Sequence, residues 1–372
     1  MADSTSAPRR RGCLFPFLFT CSLLLNALVL AYVFWPESKN DEPAVIESHL
    51  YGPKKEDNKI AVVRAEGALV EGLDGHILRQ IERAGRDKKV KAVVLRVDSP
   101  GGTIGSSEHI HRELTRLRTD EHPRYKNWAA KPLVVSMGSI AASGGYYISM
   151  PAEKIFAEKG TLTGSIGVFA ALPNVSELAK ENGVKLVLIK AGGIKGSGSP
   201  LHEMTPAERQ PWQDMVDQAY EQFLDIVAAG RPKLTKEQFR SEIVSRKQAN
   251  QYDDKGNIVK NEMGQPKQTE VTRVRADGGT FTAAEAKQHG LIDDIGLLED
   301  AVAAAATSAN LSAYRVVTYE REPTLLSELF GMRQRTSTGI DALQLSNGLT
   351  PRVWYLAPGS EMSGIVAATA RP

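Results

Sequence analysis

The sequence predicts an α/β fold with a largely parallel sheet and a helical extension, preceded by one transmembrane helix. Two observations predict the folded part: short apolar runs of strand length alternate with amphipathic stretches of helical period, and several of these runs end in glycine-rich turns. A third predicts the anchor. From Cys13 to Trp35 the chain reads CLFPFLFTCSLLLNALVLAYVFW without a charge, longer than the about 20 helical residues that cross a hydrocarbon core.

Arg9, Arg10 and Arg11 precede this run and Glu37, Asp41 and Glu42 follow it, so the positive-inside rule keeps residues 1–12 cytoplasmic and exports everything beyond the 13–35 anchor. A cleavable signal peptide is the alternative. Its apolar core is usually roughly 7–15 residues and ends in a small-x-small site, whereas this run is longer and exits through Tyr-Val-Phe-Trp-Pro. Residues 36–57 carry proline and charge without period and read as a tether.

The folded part is expected over 58–320. IAVVRAEGALV is a buried strand, and Ile77, Leu78, Ile81 and Ala84 share one helical face. VKAVVLRVDSPGG is a second strand ending in a turn. There follow a helix (SSEHIHRELTRLR), a strand (PLVVSMG), a small-residue turn entering a helix (IAASGGYYISM), a strand (KIFAEKG), a helix (SELAKENG) and a strand (VKLVLIK). Beyond Thr205 the pattern is helical. Residues 245–278 are polar and turn-rich and read as an inserted hairpin or loop, either a solvated excursion or a flap that guides substrate or touches another subunit. FTAAEAKQHGLIDDIG, EDAVAAAATSA and YRVVTYE then give a helix with a tight turn, a last helix and a last strand. The C-terminal extension, 321–372, is loosely patterned, although its PRVWYL is apolar enough to dock.

Composition narrows the function classes. Of 372 residues, 46 are Lys or Arg and 44 Asp or Glu, a net charge of +2, which excludes the basic footprint of a dedicated nucleic-acid binder and the signature of disorder. The two cysteines, Cys13 and Cys21, lie inside the apolar run and make neither a disulfide framework nor a metal site. No histidine pair has metal-ligand spacing.

Three segments can carry chemistry. Asp98-Ser99-Pro100-Gly101-Gly102 ends a strand, and paired glycines there let backbone N–H groups converge on an anion; taken alone such a segment is more often an ordinary turn than an oxyanion hole. Gly138-Ser139-Ile140-Ala141-Ala142-Ser143-Gly144-Gly145 places a serine at a strand-to-helix turn, as a nucleophile beside an oxyanion-binding N–H or as a helix N-cap. It lacks the first glycine of G-x-S-x-G. Among the histidines only His202, in Ser-Pro-Leu-His, stays open as a base for it. The third segment, Lys190 to Pro200, sets Lys195 in a glycine-rich loop after an apolar strand. A neutral lysine there can deprotonate serine if desolvation lowers its ordinary pKa of about 10.4; a solvated loop lysine is the alternative.

Together with Thr161-Leu-Thr-Gly-Ser-Ile-Gly-Val168 and Phe281-Thr-Ala-Ala-Glu-Ala-Lys-Gln-His-Gly-Leu-Ile-Asp293, these motifs, in order over roughly residues 59–318, resemble the signal peptide peptidase A family of serine proteases in its short, membrane-anchored form. The resemblance implies a Clp/crotonase-like fold of repeated ββα units. It implies that Ser143 is the nucleophile, Lys195 the general base, Ser165 the hydroxyl orienting that lysine, and Gly102 and Gly144 the oxyanion-hole donors. It implies no cofactor or metal. Its expected partners are peptide substrates such as residual signal peptides, a lipid bilayer and further copies in a ring that shares the dyad between neighbours, with the catalytic domain outside a bacterial inner membrane. Two departures stand out: Asp98, where the family commonly has Asn, and the length of the 245–278 insertion. The competing classes are a catalytically inactive scaffold, which would need a broken dyad, and a crotonase-like acyl-CoA enzyme, whose substrate an exported domain would not meet.

Overall fold

The strands of the folded unit are β1 (Val45–Tyr51), β2 (Lys59–Glu66), β3 (Val90–Ser99), β4 (Gly101–Thr103), β5 (Leu133–Ala142), β6 (Lys154–Ala157), β7 (Leu162–Gly164), β8 (Phe169–Ala171), β9 (Ile243–Asn250), β10 (Gln268–Val274), β11 (Thr280–Thr282), β12 (Asp294–Ile295), β13 (Arg315–Arg321) and β14 (Arg352–Leu356). The helices are α1 (Gly75–Arg86), α2 (Ile104–Leu117), α3 (Gly144–Tyr147), α4 (Ser176–Glu181), α5 (Pro206–Gly230), α6 (Lys236–Arg240), α7 (Ala283–Gln288) and α8 (Leu298–Ser308). The computed structural model describes Phe19, Ser22, Leu23, residues 45–253 and 255–321, and the backbone of 352–356. The tail and anchor expected over 1–35 therefore lie, except for three residues, outside the described residues. Among the described residues no helix is long and apolar enough to cross a membrane.

Among the described residues, nine strands form the main sheet, ordered β1-β13-β2-β3-β5-β6-β12, with β7 on the upper half of β5 and β11 on β7. The β13-β2-β3-β5-β6 run is parallel throughout. Its strands are apolar at consecutive positions because both faces are covered. Ala61, Val63, Leu95 and Val135 face a core closed by Ile77 and Ile81 of α1 and Ile110 and Leu114 of α2. Ile60, Val62, Val94 and Val134 face the opposite core, closed by Ala301, Val302 and Ala305 of α8. Two side-chain devices fix helix positions. Gln80 on α1 accepts the Arg64 N–H (2.9 Å) and donates to the Arg64 carbonyl (3.1 Å), and Thr103 caps α2 by accepting the Ser106 N–H. Thr205 and Glu208 form a capping box at the start of α5.

Two expectations change, and of the hairpin or loop expected over 245–278 the structure shows the hairpin. The tether over 36–57 contains a strand: β1 pairs antiparallel with β13, and its Glu47 accepts from Lys59 Nζ at 2.7 Å. An edge strand needs only one covered face, so its charges do not betray it. VKLVLIK is not a strand; residues 184–190 are irregular and Val187 and Ile189 stand 80% and 94% exposed. The insertion is a two-stranded ribbon of β9 and β10, with Ser245 opposite Arg273 and Asn250 opposite Gln268.

Candidate active site

β5 changes partners along its length, and this makes the site. Its lower half pairs β3 and β6, with Val97 opposite Met137; after a register shift Ser99 lies opposite Ala141, and the upper half pairs β7. At the bend Asp98 Oδ1 accepts the Ile140 N–H at 3.1 Å. The carboxylate at this position, the first of the two departures from the family pattern, is thus tied to the backbone of β5.

Ser143 follows directly. Its φ of 53° and ψ of −114° are rarely adopted by a residue with a Cβ. Two hydrogen bonds hold it there, from its N–H to the Gly164 carbonyl and from the Tyr147 N–H to its carbonyl, both 2.8 Å. Its Oγ is buried with no hydrogen-bond partner. An orphaned buried hydroxyl is costly and uncommon. Ser143 does not act as a side-chain N-cap for α3, so the N-cap alternative is set aside.

The glycines are where contact demands them. A Cβ on Gly144 would lie 3.0 Å from the Gly102 nitrogen and 2.6 Å from Ser107 Oγ, and one on Gly102 would lie 1.8 Å from the Leu69 carbonyl oxygen. The Gly102 nitrogen is therefore packed against the residue after Ser143. Ser165, also at positive φ (51°), receives its position from its N–H to the Gly279 carbonyl (2.9 Å), and its Oγ donates to the Gly278 carbonyl (2.9 Å). Ser143 with Gly144, Gly102 and Ser165 are thus assembled from separate segments of the chain.

Lys195 is not among them. It sits on the exposed 190–201 loop, its N–H bonded to the Gly192 carbonyl (3.1 Å), and Ser143 Oγ receives nothing from it in this chain. His202, the alternative base, is engaged elsewhere: its Nε2 meets Glu208 Oε2 at 3.0 Å, and Lys190 Nζ meets Glu208 Oε1 at 2.7 Å. The Lys190 ammonium, with the Thr205 amide and His202, holds the Glu208 carboxyl down at about 2. His111 packs edge-on against Tyr147 of α3 (5.1 Å), and burial pushes its imidazole down to about 4, so it is neutral near pH 7.

Sequence reasoning missed Ser107, whose Oγ donates to the Thr103 carbonyl (2.9 Å) beneath Gly144, because a serine inside a helix carries no local signal. It also missed two clefts that share α5 as a wall. One, of about 670 Å³, is lined by Thr103, Ile104, Met215 and Ala219; the other, of about 480 Å³, by Ser165, Val168, Phe169 and Tyr220.

Residues 126–253 match Peptidase family S49. Protease 4 of Salmonella typhi is 35% identical over 78% of this chain and 42% of its own length, so this chain spans less than half of that relative. A putative protease of Synechocystis is 33% identical over 78% of this chain and 90% of its own, and one of Methanocaldococcus jannaschii is 31% identical over 68% and 67%. Among solved structures, ClpP1 from Listeria monocytogenes is 13% identical over 64% of this chain and 92% of its own at a TM-score of 0.34, too loose a likeness to add to the α/β class that the strand pairing establishes. Because the Synechocystis relative is 33% identical and aligned along nine-tenths of its own length, the chain belongs to peptidase family S49, the signal peptide peptidase A family of serine proteases.

Proposed function

We propose that the chain is a membrane-anchored serine endopeptidase in which Ser143 is the nucleophile and Lys195 of an adjacent copy is the general base, acting on residual signal peptides or other membrane-associated or unfolded peptides. The observation that carries this reading is the buried, unpartnered Ser143 Oγ beside Gly102 and Gly144. A hydroxyl placed so, at strained φ, lacks only a base. Lys195 stands on an exposed loop that follows the exposed apolar residues Val187 and Ile189, a surface suited to a second copy.

In this mechanism docking of a second copy buries Lys195 beside Ser143, where desolvation favours the uncharged amine, and that amine takes the Ser143 proton. Ser165 orients the lysine; its Oγ donates to Gly278, which leaves lone pairs free to accept from the amine. The alkoxide attacks the peptide carbonyl, and the Gly102 and Gly144 N–H groups receive the oxyanion. The lysinium protonates the leaving amine, and water then releases the acyl group.

Ser143→Ala and Lys195→Ala should each abolish cleavage of a fluorogenic peptide. Co-assembled in equal amounts, the two inactive variants should recover about one quarter of wild-type turnover, since a head-to-tail ring then pairs an intact serine with an intact neighbouring lysine at one interface in four. No recovery would place the dyad within one chain, and full turnover by either single variant would remove the dyad altogether. A folded wild type without hydrolysis of any peptide tested would favour the inactive scaffold.

A further inference from the structure

Glu208 does more than begin α5. With Thr205 its carboxylate caps the helix, but two further donors reach it from outside: Lys190 Nζ meets Oε1 at 2.7 Å and His202 Nε2 meets Oε2 at 3.0 Å. The Glu208 side chain is 2% exposed against 30% and 29% for these two partners, so the carboxylate is the fixed point onto which they are drawn. An exposed ion pair would hold little, whereas a buried carboxylate left short of a partner is costly. A capping glutamate needs neither contact.

Lys190 and His202 are the two ends of the loop that carries Lys195. A third contact holds its middle, two residues from Lys195: Ser197 Oγ donates to the Glu208 carbonyl (2.8 Å) and accepts from Trp212 Nε1 (2.7 Å). Between these points the backbone has little stiffness of its own, with Gly192, Gly196 and Gly198 at φ of 90°, 125° and 83°. Its internal bonds are single turns, from the Lys195 N–H to the Gly192 carbonyl (3.1 Å), from Ser197 to Ile194 (3.0 Å) and from Ser199 to Gly196 (3.1 Å). Glu208 belongs to a 25-residue helix whose Phe223, Leu224 and Val227 lie in the core, so these contacts refer the loop to the core of its own chain.

We propose that Glu208 is the positioning residue of the general base: it clamps both ends and the middle of the 190–202 loop and so presets the place from which Lys195 meets the Ser143 of a neighbouring copy. The inference rests on the reading of Lys195 as a base shared between copies. An amine that must enter another chain's site cannot be adjusted by that chain's own packing, so its approach has to be fixed beforehand on the side that donates it. A misplacement of about 1 Å costs about 10²-fold in rate. Glu208 touches no reacting atom, and its effect passes through Lys195 alone.

Two full-chain variants loosen the clamp differently. Glu208→Gln keeps the shape but turns an amide N–H₂ toward one of the two donors, and Lys190→Met keeps the stem and the capping box while losing the ammonium. Each should lower kcat about 10- to 100-fold with KM within about twofold of wild type. A loss in Glu208→Gln with Lys190→Met at wild-type kcat would assign the effect to the start of α5 and overturn the proposal. Co-assembly then locates the effect. Glu208→Gln is placed either on the Ser143→Ala chain, which supplies the lysine, or on the Lys195→Ala chain, which supplies the serine, and each is mixed with the other single variant. Turnover should collapse in the first mixture and hold at the level of the parent mixture in the second, whereas a general loss of fold lowers both; equal turnover in the two overturns the proposal. If the parent mixture has no turnover, the shared-dyad reading fails, and hydrogen exchange at the Lys195 and Ser197 amides still decides the clamp. Both variants should exchange there about tenfold faster than wild type, and equal exchange overturns it.

Discussion

Gly102→Ala tests the oxyanion site by geometry. The added methyl would start 1.8 Å from the Leu69 carbonyl oxygen and 2.4 Å from its carbon, both backbone atoms that cannot rotate away. To reach the 3.0 Å that real Cβ contacts respect, β4 must retreat from Leu69 by about 1 Å. That retreat stretches the two hydrogen bonds of 2.8 and 2.9 Å that join Leu69 to Thr103 and Gly101. At about 1 kcal/mol each, the loss of stability is about 2 kcal/mol, a melting temperature lower by roughly 4–8 °C with the unit still folded at 25 °C. The catalytic loss is larger. Removing one oxyanion donor costs about 10²–10³ in kcat, or about 2.7–4 kcal/mol, and a 1 Å misplacement by itself costs about 10²-fold. The assay is steady-state hydrolysis of a fluorogenic peptide beside near-ultraviolet circular dichroism and a thermal melt. Gly160→Ala, whose Cβ would meet nothing within 4 Å, serves as the control and should change neither. A folded Gly102→Ala enzyme with kcat within about twofold of wild type would refute the assignment of this amide as a transition-state donor.

Ser165→Gly keeps the positive φ of 51° but loses the hydroxyl; kcat should fall about tenfold or more and the pH of half-maximal rate should move, whereas a merely structural Ser165 would leave that pH where it was. His111, held near 4 by burial against about 6.5 when unfolded, makes the unfolded state the better proton binder between these values, so stability is full above pH 6.5 and is lost as pH falls toward 4. Its share is up to about 3 kcal/mol, and urea titrations at pH 7 and pH 5 should show a smaller difference for His111→Phe than for wild type. An equal difference would assign the acid sensitivity to other groups. Tyr146→Phe removes the donor to the Leu291 carbonyl (2.7 Å) inside the core and should destabilise the unit by about 1–2 kcal/mol in the same titration, with peptide KM unchanged.

Properties that are local were legible in the order of residues. The apolar runs of β2, β3 and β5 and the Ile77-Ile81-Ala84 face of α1 follow from periodicity, because burial on both faces of a parallel sheet calls for apolar residues at consecutive positions. The small-residue turn at Ser143 was likewise readable: only residues without bulky side chains let Gly102, Gly144 and Gly145 approach as closely as they do. VKLVLIK misled for a related reason. An apolar run states that a surface wants cover, not whether a sheet or another molecule supplies it, and in this chain Val187 and Ile189 remain exposed.

By itself the sequence determined the central strands β2, β3 and β5, the apolar face of α1, the glycine turns and the serine between them, since each depends on a few consecutive residues. Tertiary structure alone decided that β1 joins β13, that Asp98 accepts the Ile140 amide, that Ser143 Oγ is left without a partner and that β14 pairs with β4 at Gly102. Those outcomes are pairings between segments far apart in the chain. They are set by which backbone edges remain open once the core has closed, and no window of neighbouring residues carries that information.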